Sequence, residues 1–236
     1  MSTRLGRVFA QAESRWLGAV DFSAAHEHNL KQSELSRRDG RARLSWFEPK
    51  TPILTLGRRL HGDRSMDIAQ TLQSCGTRHI AVIEADRGGQ ATLHLPGQLV
   101  VFVAIPGRRE EVAGVVNRLF DAVESLEQLR GIELRRGEGD QTGLWMEGSK
   151  IASAGLRVQQ GVIRHGMSVN VAIDRTIVSG LTLCGHRDAS YIDLRSIALV
   201  QNDRPPKECS VERVASVLDA TLCGSSRLFH AELDGP

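Results

Sequence analysis

Four short segments hold the residues able to do chemistry. The first, Arg87-Gly88-Gly89-Gln90-Ala91-Thr92-Leu93-His94-Leu95-Pro96-Gly97-Gln98, is a glycine-rich loop between two apolar stretches. Gly88 and Gly89 remove side-chain bulk and permit positive φ, so backbone can approach a ligand while Arg87 and His94 offer donors to a thioester, phosphate or acid. The same residues also fit a tight hairpin with an exposed arginine and a satisfied histidine. No lysine follows these glycines, which argues against a P-loop.

The second segment runs from Gly143 to Arg157 and contains Lys150 and Ser153-Ala154-Gly155. Gly143 and Gly148 have the separation of a Walker A motif, but Ser149 and Lys150 stand in the wrong order and β-like residues follow, so phosphate cradling explains it poorly. Lys150 sits among small and apolar residues, where partial burial would lower its pKa; alternatively it is a strand lysine whose head reaches water. The third segment, from Gly161 to Val171, alternates like a strand and carries His165, Gly166-Met167-Ser168 and Asn170, whose amide needs partners if its face is buried. In the fourth, Cys184 precedes Gly185 in a loop, as an accessible nucleophile or a small buried hydrophobe. Cys75 with His79 and Cys184 with His186 do not make a four-ligand zinc set, and no metal is expected.

These segments need a frame. At 236 residues with 41% apolar composition, the chain has enough apolar side chains for one domain with a sizeable core. Helices are predicted over 22–39, with Phe22, Ala25, Leu30 and Leu35 as its apolar residues, over 112–129 and over about 211–222. Strands are predicted over 43–47, 52–57, 79–84 and 98–105, with short β-like runs from 143 to about 197. The result is an α+β fold with a mixed, largely antiparallel sheet and helices packed on one side. No apolar run is long enough for a membrane span, and the first twenty residues lack a signal-peptide core, so a cytoplasmic protein with reduced thiols is expected. Net charge is only +2, yet arginines cluster at 37–43, at Arg58 and Arg59, at Arg108 and Arg109, and at 130–136. Such clusters are solvated faces or docking patches for an acidic partner. Nucleic acid is disfavoured, because no aromatics interleave them.

In this order the four segments, preceded by a strand, turn and Gly-Arg ending from Ser45 to Arg58, resemble the lipoyl(octanoyl) transferase family within the biotin/lipoate protein ligase superfamily. The resemblance covers about residues 44–200 of a single catalytic domain, 1–236, and implies the fold of that superfamily's catalytic domain. It makes Cys184 the acyl-accepting nucleophile and Lys150 the residue that lowers its pKa. Arg87, Gly88, Gly89, Gln90, Ala91, Thr92, Leu93 and His94, then Ser153, Ala154 and Gly155, then Gly166, Met167 and Ser168 would line the substrate pocket. The implied donor is an octanoyl-acyl carrier protein, and the acceptor a lysine of lipoyl domains in 2-oxoacid dehydrogenases or of the glycine cleavage H protein. The donor is already activated, so no cofactor is needed. Rival functions are an ATP-dependent lipoate ligase and a non-catalytic lipoyl-protein binding module. The chain departs from the family at Leu93, Leu95 and Leu183 and after Cys184, and Leu93 and Leu95 are expected to reshape the acyl pocket and its chain-length preference.

Overall fold

The structure is a computed structural model in which residues 3–60, 80–177, 191–202, 209–224 and 229–230 are described. In chain order its elements are α1 (Thr3–Ala10), β1 (Glu13–Val20), α2 (Phe22–Asp39), β2 (Arg43–Pro49), β3 (Ile53–Leu56), β4 (Ala81–Glu84), β5 (Ala91–His94), β6 (Gln98–Pro106), α3 (Val112–Glu124), β7 (Arg135–Gly137), β8 (Gly143–Met146), β9 (Ser149–Gln159), β10 (Val162–Asn170), α4 (Leu194–Asn202), α5 (Val211–Cys223) and β11 (Phe229–His230). One sheet has the order β11-β1-β2-β6-β10-β9-β8-β7, with β1 parallel to β2 and β11 and the other neighbours antiparallel. A smaller sheet, β4-β3-β5, pairs β3 parallel with β4 and antiparallel with β5. The fold is thus α+β with mixed sheets, as the sequence patterns indicate.

Strand β6 shows why the layers form. Nearly every position in it is apolar, and a strand of that kind needs cover on both faces. Leu99, Val101, Val103 and Ile105 join a core with Val115 and Leu119 of α3, Val214 and Leu218 of α5, and Phe9 of α1. Val100 and Phe102 face the other way, against Phe22 and Ala25 of α2 and Phe47 of β2. The expected one-sided helical cover is therefore corrected: α2 closes the second face, where Phe102 would otherwise lie in water.

The buried side of α2 also differs from its apolar pattern. Leu30 and Leu35 are exposed, whereas Asn29, Gln32, Ser33 and Ser36 are buried. Asn29 Nδ2 donates to the Val103 carbonyl and Ser36 Oγ to the Ala104 carbonyl, each at 3.1 Å, so hydrogen bonds to β6 fix this helix. The apolar repeat of 112–129 is continuous in sequence, but α3 ends at Glu124. Ser125 Oγ donates to the Ala122 carbonyl at 2.7 Å, and a short 3-10 turn then carries Leu126 and Leu129 into the core. The predicted β-like run to about 197 gives way to α4, whose start is capped by Asp193 Oδ1 accepting from the Ser196 amide at 2.7 Å. α1, β1, β5, β7 and β11 have no counterpart among the predicted elements.

The arginine cluster at 37–43 is built into ion pairs, Arg37 and Arg38 with Glu34, Arg41 with Glu13, and Arg43 with Asp39 and Glu13. Among the described residues, no helix is long and apolar enough to cross a membrane.

Candidate active site

The loop 85–90 bridges the two sheets, and its two charged residues face opposite ways. Arg87 lies on β3: its Nη2 donates to the Thr55 carbonyl at 2.7 Å and to Thr55 Oγ1 at 2.8 Å, and its Nε to the same hydroxyl at 3.1 Å. Asp86 lies on the large sheet. Its Oδ1 accepts from His165 Nε2 at 2.7 Å and from Arg164 at 3.0 Å, and its Oδ2 from Arg157 at 2.9 Å. The His165 hydrogen bond first, then the charges of Arg164 and Arg157, hold the Asp86 carboxyl far below the usual range. His165 takes φ = 65° within β10, a conformation non-glycine residues rarely adopt, and its ring stacks on His26 of α2.

Backbone meets backbone where this loop crosses β9. A Cβ on Gly88 would come within 2.7 Å of the Leu156 carbonyl, and one on Gly155 within 2.9 Å of the Gly88 carbonyl. Two of the sequence segments are one paired surface: Ser153, Ala154 and Gly155 of β9 lie opposite Ser168, Met167 and Gly166 of β10. A Cβ on Gly166 would strike the Val101 carbonyl, so a substitution there must displace the β6-β10 ladder.

Two chambers adjoin this surface. The larger, about 300 Å³, is lined by Arg87, Gly88, Gly89, Gln90, Ala91, Thr92, Lys150, Ser153, Ala154 and Gly155, with Arg59, Gln141, Trp145 and Tyr191 among the others. The smaller, about 30 Å³, is lined by Arg87, Thr92, His94, Ser153, Ala154, Gly155, Gly166, Met167 and Ser168, with Phe22, His26 and Phe102 behind them. Among the described residues, the larger chamber presents Arg59, Arg87 and Lys150 and no carboxylate. Such a wall favours negative charge, whether a thiolate or the oxyanion of acyl transfer.

Lys150 opens β9. Its Nζ stands 4.4 Å from the centre of the Trp145 ring, a cation–π contact of about 0.5–2 kcal/mol that positions the ammonium. Trp145 is held in turn by donation from its Nε1 to the Gln141 carbonyl at 2.9 Å. A buried relay fixes the Lys150 backbone. His94 Nδ1 donates to Gln98 Oε1 at 3.0 Å, Gln98 Nε2 donates to Asn170 Oδ1 at 2.8 Å, and Asn170 Nδ2 donates to the carbonyls of Lys150 at 3.0 Å and Ile192 at 3.2 Å. These bonds supply the partners that Asn170 needs. The Ile192 amide also donates to the Lys150 carbonyl at 3.2 Å, and Tyr191 bridges Lys150, so the chain beyond 178–190 rejoins the site beside the lysine.

The lipoyl protein ligase A/B catalytic-domain model matches residues 23–215. The chain belongs to that family. It is 34% identical to an octanoyltransferase of Methylococcus capsulatus over 78% of this chain and 85% of the relative, and 34% identical to one of Thiobacillus denitrificans over 83% and 80%. Those relatives make it an acyltransferase. Among solved structures, a lipoate-protein ligase A bound with ATP superposes with a TM-score of 0.66 at 16% identity, covering 93% of this chain and 88% of that one, which shows a common fold.

Within this lipoyl ligase A/B framework, most of the sequence-designated site residues meet around the two chambers. Cys184, Leu183 and the residues following Cys184 fall outside the described residues, as does Cys75. Leu93 and Leu95 are placed elsewhere, with Leu54, Leu56, Leu60 and Ile173 in the core of the small sheet. Neither leucine lines either chamber. The segment is a strand where a loop was expected, and its alternation turns Thr92 and His94 toward the small chamber and Leu93 away. Leu95→Ala should therefore cost about 2–5 kcal/mol in urea unfolding. It should leave the ranking of hexanoyl, octanoyl and decanoyl donors unchanged; a new ranking would put Leu95 back in the pocket.

His94 also departs from its expected role as a donor to substrate, since its ring is buried and its Nδ1 proton is committed to Gln98. Residues not designated from sequence include Asp86, Thr55, Trp145 and His26. The acid beside Arg87 was the available signal for the first of these.

Burial, with Arg87 nearby, pushes His94 down to about 3, and burial pushes His165 down to about 4 against the pull of Asp86. Both folded values lie below the ordinary 6.5, so the unfolded chain takes up protons first. Their contribution is fully present above pH 6.5 and is lost as pH falls toward 4 and then 3, at about 1.4 kcal/mol per pH unit for each histidine. The unfolding free energy from urea curves should drop between pH 6.5 and 4.5 with the two slopes added, and His94→Asn should flatten it; parallel slopes would clear His94 of any part in acid unfolding.

Proposed function

We propose that this chain transfers an octanoyl or lipoyl group from an acyl carrier protein to a lysine of a lipoyl domain, through a thioester on Cys184. The observation that carries this reading is the cationic chamber, with Lys150 fixed in its wall and no carboxylate among its described residues. Tyr191, seven residues after Cys184 in the sequence, bridges Lys150 and lines the same chamber. Relatives named octanoyltransferase supply the acyl class.

The Lys150 ammonium favours the Cys184 thiolate, which attacks the thioester carbonyl of the donor. Negative charge develops on the carbonyl oxygen beside Arg87 and Lys150. The intermediate collapses with cleavage of the bond to the carrier sulfur, and the carrier leaves as a thiol after taking a proton. A neutral lysine amine of the acceptor then attacks the acyl-enzyme, an amide forms, Cys184 departs as thiolate, and the amine's surplus proton passes to solvent, which balances the proton the carrier thiolate took from solvent. The thioester already carries the activation, so this sequence of steps uses no ATP. The reaction fits the reducing cytoplasm, where Cys184 stays a thiol.

Intact mass after incubation with octanoyl carrier protein tests the reading. One octanoyl group should appear on Cys184 without ATP and leave on addition of a lipoyl domain. An adduct that requires ATP would make the chain a ligase, and carrier binding without any adduct would make it a binding module.

A further inference from the structure

Beside the chamber lies a wider groove of about 980 Å³, which shares Gly88, Gly89, Val116 and Leu156 with it, so the two form one path. Five arginines and one carboxylate, Glu138, line the groove among its described residues. These arginines are far apart in sequence. Arg58 and Arg59 follow β3, Arg109 precedes α3, Arg136 is in β7 and Arg157 in β9, so the fold gathers separate clusters at one mouth. Arg136 is held by Asp121 and Glu124, and Arg157 by Asp86. Arg58 and Arg109 are exposed. The Arg58 amide donates to the Arg87 carbonyl at 3.2 Å, which fixes this part of the groove to the glycine-rich loop.

We propose that this groove docks the donor, an acidic carrier protein whose thioester-bearing arm is joined to it by a phosphodiester. Arg58 and Arg109 meet that anion and the acidic carrier surface. The inference rests on the acyl transfer proposed above, and charge selects the donor over the acceptor. An acceptor lysine brings a cation on a flexible stem toward Arg58 and Arg109, whereas the donor's arm brings a fixed anion along the same path. Electrostatic complementarity of this kind acts on encounter and register more than on the chemical step.

The test compares Arg58→Glu/Arg109→Glu and the milder Arg58→Gln/Arg109→Gln with wild type, using octanoyl carrier protein and the uncharged octanoyl N-acetylcysteamine thioester as donors. With the carrier, KM should rise about tenfold or more in the Glu variant and less in the Gln variant, kcat should hold, and the fall of kcat/KM with salt should flatten. With the uncharged thioester both variants should match wild type, which also reports that they fold. An unchanged KM for the carrier would overturn the inference, as would a loss confined to the lipoyl-domain acceptor. Failure of the underlying reading shows differently: wild type forms no acyl adduct with either donor, and the docking inference falls with it.

Discussion

Cys184→Ala is expected to lose acyl transfer by roughly three orders of magnitude or more while keeping the wild-type circular dichroism spectrum and melting temperature. A nucleophile whose acyl adduct splits one hard step into two is not replaced by its neighbours, so removing it leaves only what binding and charge stabilisation contribute. The two described thiols, Cys209 and Cys223, are poorly suited to the role. Cys223 is buried with its Sγ 3.6 Å from Asp219 Oδ1, and burial raises the pKa of Cys209, which leaves less thiolate at neutral pH. The sequence pattern reads as a loop at Cys184-Gly185, where a side chain contributes little core volume, which is why stability should hold. Cys184→Ser separates nucleophile from packing, since it keeps the side-chain shape with a far weaker nucleophile. Comparable turnover by Cys184→Ala, measured as octanoyl-lipoyl domain formed from octanoyl carrier protein, would sink the thioester mechanism.

What was legible in the sequence follows from which force holds each part. β6 and the apolar face of α3 declare themselves through hydrophobic periodicity, because apolar burial is what holds them. The buried side of α2 does not. Asn29 and Ser36 are placed by hydrogen bonds to carbonyls 74 and 68 positions away, and a local pattern carries no trace of such partners. The same division runs through the site. Gly88, Gly155 and Gly166 stand out as small residues because backbone crosses backbone at them, and Lys150 stands out as an isolated charge. Asp86 is invisible as a clamp until β9 and β10 bring Arg157, Arg164 and His165 to it. The family resemblance puts Leu93 in the pocket as part of the segment from Arg87 to His94. Period two in β5 is enough to reverse that placement, once the segment is known to be a strand.

Lys150→Met should lower kcat/KM for octanoyl carrier protein by roughly 10–10²-fold and move the pH midpoint of Cys184 alkylation upward. Methionine keeps much of the length and flexibility of the side chain and deletes the charge. The backbone roles of residue 150 survive, because its carbonyl accepts from Asn170 and Ile192 whatever the side chain. The chamber therefore keeps its shape and loses one of the three described cations that favour a thiolate over a thiol. Lys150→Arg is not a silent control, since a planar guanidinium places its charge differently from an ammonium seated over Trp145. Trp145→Leu supplies the graded comparison: it keeps the charge and removes a cation–π contact of about 0.5–2 kcal/mol, so it should cost less activity than Lys150→Met and shift the alkylation midpoint less. Iodoacetamide labelling followed against pH, with labelled Cys184 read by mass, measures all three variants beside wild type. If Lys150→Met left that midpoint where it stands in wild type, Lys150 would not be the charge that activates the cysteine, and any loss of rate would have to come from substrate binding.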